Sequence, residues 1–232
     1  MCEVDMGSLK KAGLDEIYNH IMGTASLEET VVAKNPVTAG KLSFVELDSA
    51  TRQNVVPDIE DLNEIARQKA RFMLDVCVLN LLRKGAKFDP SKLIAIDVHF
   101  SSLVKTAFRT RYLTVLADVL ERCEYPLMLN IKSVPVGLHA TRISDLLRYL
   151  IPVKVEAALQ ISQENILTQD LIKMSAKYFV LSVAELTRIN ASMRKDMTLQ
   201  HLSKLPGQDK HIIVRNAAKE VVVEPAEEAF YL

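Results

Sequence analysis

The stretch Leu93-Ile94-Ala95-Ile96-Asp97-Val98 decides the fold. It is apolar and partly β-branched, with a single internal charge near its end, which suits a strand buried on both faces. Upstream, Asp58 to Arg83 places Ile59, Leu62, Ile65, Ala66, Met73 and Cys77 on one helical face, and Gly85 supplies the stop. Downstream the alternation repeats as helix Leu103 to Cys123, strand Leu127 to Ile131, helix His139 to Leu150 and strand Val153 to Leu159. It continues with helix Gln163 to Ala176, strand Tyr178 to Val183, helix Ala184 to Leu202 and strand His211 to Val214. Strands recur at roughly 25–35 residue intervals, as in βα units, and parallel strands need helical crossovers. The class is α/β, and about six or seven such units predict a (β/α) barrel rather than an open sheet.

Before this core, Leu42 to Leu47 (LSFVEL) is a first strand, and Ser8 to Met22 reads as an extra N-terminal helix behind a Ser8 cap. Gly23 to Gly40, with Gly23, Pro36 and Gly40 among polar residues, reads as a linker. The expected division is an N-terminal helix and linker over residues 1–30 and a barrel domain over 31–232. Glu220 to Glu224 (EVVVE) is a candidate last strand, and Phe230-Tyr231-Leu232 a candidate docking element. A full barrel takes about 250 residues, so a chain of 232 that spends its first segment elsewhere is expected to be shortened or incomplete.

Composition narrows the function. Lys and Arg number 29 against 29 Asp and Glu, so the chain lacks the cationic surplus of a non-specific nucleic-acid binder. Only 7 Gly are present, and no G-x-G-x-x-G or P-loop run exists to cradle a dinucleotide or triphosphate. Cys2, Cys77 and Cys123 have no C-x-x-C spacing, which predicts neither a disulfide framework nor a zinc site. Cys77 and Cys123 read as small core residues. Met1 to Gly13 is not the pattern of a signal peptide, and Leu146 to Val155 is interrupted by Arg148, Pro152 and Lys154. A cytoplasmic protein without membrane spans or cofactors is expected.

Function in a parallel α/β fold gathers at the carboxyl ends of the strands. Those positions are Glu46 and Asp48, Asp97 and His99, Asn130 and Lys132, Glu156 and Gln160, Ser182, and Arg215 with Asn216. Four or more converging carboxylates would be needed for a two-metal hydrolytic site, and this set is short of them. His99 beside Ser101 and Ser102 suggests a base and a nucleophile, but neighbours on a strand end rarely face each other as a triad. Hydrogen bonding in the barrel mouth and capping of the next helix is the better reading. Glu46 and Asp48 read as a solvated turn or a partner for Arg52. His201 and His211 flank a Pro-Gly turn and read as loop residues. Arg109 and Arg111 form a small basic patch suited to a phosphate or an acidic partner.

The run from Ile94 to Leu103, which contains Val98-His99-Phe100-Ser101-Ser102-Leu103, followed by Arg109, Arg111, Tyr112 and Leu113, resembles a stretch of degenerate bacterial EAL domains. The likeness extends over about Val31 to Asn216: Asn35-Pro36-Val37 resembles the family's opening, and Phe44-Val45-Glu46-Leu47 its Glu-Ala-Leu strand. Leu127 to Pro135 and Phe179 to Val183 resemble two further family strands. Active EAL domains are (β/α) barrels that hydrolyse cyclic di-GMP with divalent metals. By resemblance, Glu46 stands at the signature Glu, His99 at a metal-binding Asn and Asn130 at a metal-binding Glu. Glu156 alone stands where the family has paired aspartates, and Leu181 and Val183 stand at its Lys and Asp. The resemblance therefore implies a degenerate barrel with no catalytic or metal residues, acting through protein contacts. Partner-binding candidates are Arg109, Arg111, Phe230 and Tyr231, and a homodimer is plausible by the same resemblance. A cyclic di-GMP sensor, or an enzyme rebuilt around Glu46, His99 and Asn130, is the alternative.

Overall fold

The computed structural model describes residues 27–32, 42–47, 62–86, 88–205 and 209–215. The expected helix Ser8 to Met22, the candidate strand Glu220 to Glu224, Asp48, Arg52, Asn216, Phe230 and Tyr231 lie outside the described residues. Among the described residues seven strands form one sheet in chain order: β1 (Leu27–Val32), β2 (Leu42–Leu47), β3 (Leu93–His99), β4 (Leu127–Lys132), β5 (Glu156–Gln160), β6 (Tyr178–Ser182) and β7 (His211–Arg215). β1 runs antiparallel to β2, and every later pair is parallel.

The described helices are α1 (Glu64–Arg83), α2 (Phe100–Val104), α3 (Thr106–Arg122), α4 (Ala140–Arg148), α5 (Gln163–Thr168), α6 (Val183–Asn190) and α7 (Lys195–Ser203). Asn63 starts α1 by accepting from the Ala66 backbone N–H at 3.0 Å, and Phe72 of α1 stacks on Phe108 of α3 at 4.4 Å. Val45, Ile94, Ile96, Val98, Leu129, Ile131 and Phe179 face this helical layer and form the main core. The opposite sheet face buries a second cluster, Leu42, Phe44, Leu93, Ala95, Met128, Ala158, Tyr178, Val180 and Ile213. This two-residue alternation defines the interior of a barrel.

The sheet is a curled half-barrel. Arg215 on β7 ion-pairs with Glu46 on β2 at 3.1 Å, although five strand steps separate them. At about 4.8 Å per step a flat sheet would hold these strands roughly 24 Å apart, beyond the reach of two side chains. The expected α/β, TIM-barrel-like class is therefore observed.

Several boundaries differ from those expected. β1 lies within the stretch read as a linker: its register runs from Leu27↔Leu47 to Val32↔Leu42, so the sheet begins before residue 31. The helix Leu103 to Cys123 is two helices, because Lys105 adopts an extended backbone between α2 and α3. The strand placed at Val153 begins instead at Glu156, after a 3-10 turn over Ile151–Val153 that carries Pro152 in its first positions. Lys154 then takes a left-handed φ of 55°, which no strand residue adopts. The helix Gln163 to Ala176 stops at Thr168 and is followed by a 3-10 turn at Leu171–Lys173. The helix Ala184 to Leu202 is broken between Asn190 and Lys195 into α6 and α7.

Candidate functional site

The parity that points Leu42 and Phe44 of β2 and Leu93 and Ala95 of β3 inward also points Glu46 and Asp97 inward, one residue pair nearer the carboxyl ends. Met128 on β4 is followed by Asn130 and Lys132, Ala158 on β5 by Gln160, Val180 on β6 by Ser182, and Ile213 on β7 by Arg215. The interior thus changes from apolar layers to a polar mouth. Register places Asp97 directly opposite Asn130 and Ser182 opposite Arg215.

Asp97 is the hub of this mouth. Arg215 donates through Nη1 to both of its carboxylate oxygens, at 2.8 and 3.0 Å. Asn130 Nδ2 donates to Oδ1 at 2.8 Å, and Lys132 Nζ lies 3.4 Å from Oδ2. The second guanidinium nitrogen reaches Glu46 Oε2 at 3.1 Å, and the guanidinium carbon sits 4.4 Å from the Phe44 ring centroid. Burial alone pushes the Asp97 carboxyl up, but the charges of Lys132 and Arg215 and hydrogen bonds from Asn130 and Arg215 outweigh it and hold it down at about 2. Asn130 is fully buried and its Nδ2 also lies 3.4 Å from Gln160 Oε1, while its Oδ1 has no partner.

His99 does not join this group. Strand pairing ends with it, and Asp75 of α1, itself buried, takes it up from the helix side of the sheet. The Asp75 carboxylate accepts from the His99 backbone N–H at 3.0 Å, from His99 Nδ1 at 2.8 Å and from Ser102 Oγ at 2.6 Å. This carboxylate caps the start of α2, where His99 occupies the N-cap position but provides no side-chain capping bond. Ser101, expected to hydrogen-bond in the mouth, instead has a buried Oγ without a partner. The three residues of the rebuilt-site alternative are therefore not assembled: Glu46 and Asn130 share the mouth, whereas His99 is bound to Asp75.

Three other expectations are corrected by strand register, bounds and pleat. Register sets Asp97 beside Asn130, whereas His99, of the same parity, stands opposite Lys132. Glu156 opens β5 instead of closing it, which leaves the amide of Gln160 at the carboxyl end. Leu181 packs on the helix side and Val183 begins α6, so Val180 and Ser182 are the inward positions of β6. Arg109 donates to the carbonyls of Leu103 and Val104, each at 3.1 Å, and lies over the Tyr149 ring at 3.9 Å, so it pins the α2–α3 junction. Arg111 is exposed. His211 stacks on Tyr178 at 5.4 Å, and His201 Nδ1 lies 2.8 Å from the Met197 carbonyl. Cys77 is buried, and its thiol is pushed up to about 11 by that burial.

The mouth does not fit a divalent cation. Its two carboxylates already share two fixed cations, and hard ions demand several oxygen ligands whose negative charge is unspent. Among the described residues no three His, Cys, Asp or Glu side chains form a metal-holding group. No described helix is long and apolar enough to cross a membrane.

Solved structures share this architecture. The FimX EAL domain superposes with a TM-score of 0.55 at 13% identity, covering 91% of this chain and 94% of that one. A standalone EAL protein from Vibrio cholerae, in its cyclic di-GMP-bound form, gives 0.54 at 12% identity over 85% and 89% of the two chains. BlrP1 of Klebsiella pneumoniae, in a manganese and cyclic di-GMP complex, gives 0.54 at 10% identity over 88% of this chain and 59% of that one. The chain has the TIM-barrel-like fold of EAL domains. No family model and no curated protein matches its sequence.

Proposed function

We propose that the chain is a catalytically silent EAL-like module that regulates or scaffolds through protein contacts in the cytoplasm and does not hydrolyse cyclic di-GMP. The observation that carries this reading is the Arg215 guanidinium lying between Glu46 and Asp97. Metal-assisted phosphodiester hydrolysis needs ions that activate water and stabilise the leaving oxygen. An ion brought to these carboxylates would have to displace a buried guanidinium and stand beside Lys132. The other inward strand ends present Asn130, Gln160 and Ser182, which contribute no further anion. BlrP1, which shares the fold at 10% identity, was solved as a manganese and cyclic di-GMP complex.

His99 is a positioning residue for the β3–α2 junction in this reading, because its Nδ1–H is spent on Asp75. Of the two described members of the partner-binding set, Arg109 is engaged at the α2–α3 junction and Arg111 is exposed, and Phe230 and Tyr231 are proposed to contribute as well. The decisive experiment incubates the purified chain with cyclic di-GMP and Mn²⁺ or Mg²⁺ and follows the linear product, alongside calorimetric titration of the same nucleotide. Neither turnover nor binding is expected. Binding without turnover would replace this reading with the sensor, and metal-dependent turnover would overturn it.

A further inference from the structure

We propose that the chain carries a ligand site outside the barrel mouth: a cavity at the amino ends of β5 and β6 that takes a monocarboxylate with an apolar body. The cavity encloses about 670 Å³, within the range of sites that hold drug-sized ligands. One wall is the last turn of α4 with the 3-10 turn that follows it, and another is the segment Ser175-Ala176-Lys177 that leads into β6. Glu156 and Ala157, the first residues of β5, also line it. Along β5, Glu156 lies about 13 Å from Gln160 at the mouth. An occupant here therefore touches none of the groups gathered on Asp97, and the inference stands apart from the catalytically silent reading.

The lining is apolar at its base and cationic at its rim. Leu150, Val155 and Ala176 are buried beneath it, whereas Ile151 is 69% exposed and offers apolar surface that a ligand would cover. Of the charged lining residues, Arg148 is spent on Asp145 at 3.1 Å. Lys154 and Lys177 have no ion-pair partner among the described residues, and Glu156 is the single carboxylate of the lining. Two lysines against one glutamate leave one positive charge, which a single carboxylate matches and a phosphate dianion exceeds. The hydroxyls of Ser144 and Ser175 line the same cavity and can donate to that carboxylate. Both walls are held in place. Lys154 takes a left-handed backbone, φ 55° and ψ 37°, that glycine would adopt without steric cost, so a strained position here carries a cation. Lys210 Nζ donates to the carbonyls of Met174 and Ala176 at 2.6 and 2.7 Å and braces the wall that bears Ser175 and Lys177.

The test titrates the purified chain with decanoate, decanol and decylammonium by calorimetry and maps each by backbone amide shifts in nuclear magnetic resonance spectra. Decanoate is expected to bind once per chain, at least about threefold tighter than decanol, with decylammonium weakest. The shifts are expected to centre on Ile151, Lys154 and Lys177. Lys154→Gln combined with Lys177→Gln should bring decanoate to the affinity of decanol and leave decanol unchanged. Glu156→Gln removes the opposing charge and should tighten decanoate by about two- to fivefold. All three substituted side chains are exposed, and thermal unfolding verifies that the variants fold. Equal affinity for decanoate and decanol, shifts centred on Gln160 and Ser182 at the mouth, or no binding by wild type would each overturn the inference. None of these outcomes decides the reading of the mouth, which cyclic di-GMP turnover tests separately.

Discussion

Asp97 and Asp75 are both buried carboxylates that meet at the end of β3, yet they are satisfied in opposite ways. Asp97 lies inside the barrel and is neutralised by charge, from Arg215 on the last strand and Lys132 on the adjacent one. Asp75 lies outside, on α1, and is satisfied by three hydrogen bonds from one strand-to-helix junction. A hydrogen-bonded carboxylate of the second kind orders local backbone. One of the first kind ties distant strands together and becomes costly when its cation is removed, because an uncompensated charge is left behind. The contrast separates a mouth whose anions are permanently matched from a cap that holds His99 away from it.

The largest effect is expected from Arg215→Ala. It strands two carboxylates and unties β7 from β2 and β3, so urea unfolding should show a loss of about 3–5 kcal/mol. A loss no greater than that of a surface residue would break the distinction. Asp75→Ala should cost somewhat less, about 2–3 kcal/mol, since it orphans three donors without stranding a charge. It should also release His99, whose side-chain resonances would move in the nuclear magnetic resonance spectrum.

Acid tests the Asp97 side of the comparison. The Asp97 carboxyl is held down at about 2 in the folded chain, below its unfolded value of about 3.9. Its contribution is therefore fully present above pH 4 and is lost as pH falls through 2, a change on the order of 2 kcal/mol. Denaturant unfolding between pH 5 and pH 2 should show this decline, and Asp97→Asn should flatten it. The smallest effect is expected at Tyr112, whose buried hydroxyl has no partner and is pushed well above its usual value by burial and by the charges of Asp75 and Asp97. Tyr112→Phe should leave stability unchanged or slightly raised, whereas a clear loss would mean that the hydroxyl links the two carboxylates.

The parallel strands were legible because apolar runs such as Leu93 to Val98 must be covered on both faces. β1 was not, since in Leu27–Val32 the first leucine is followed by two glutamates, leaving Thr30-Val31-Val32 as its sole β-branched signal, and among the described strands it pairs with β2 alone. The breaks at Lys105 and after Asn190 carry neither Pro nor Gly, so periodicity ran through them. Parity along β3 from Leu93 and Ala95 selects Asp97 and His99 alike; only the packing of α1, which brings Asp75 to His99, separates the two. Arg215 has no local signature, because its hydrogen bond to Asp97 spans 118 residues and exists only once the sheet has curled. Glu46 and Asn130 were legible as strand-end residues because their strands are unbroken up to those positions, but Glu46 lies within β2 and pairs with Arg215 rather than standing in a solvated turn.

The most direct test of the central claim is the turnover of cyclic di-GMP by the purified wild-type chain in the presence of Mn²⁺. With Arg215 between Glu46 and Asp97, no linear product should accumulate above that of a blank. Metal-dependent product formation that is abolished by Asp97→Asn would contradict the account.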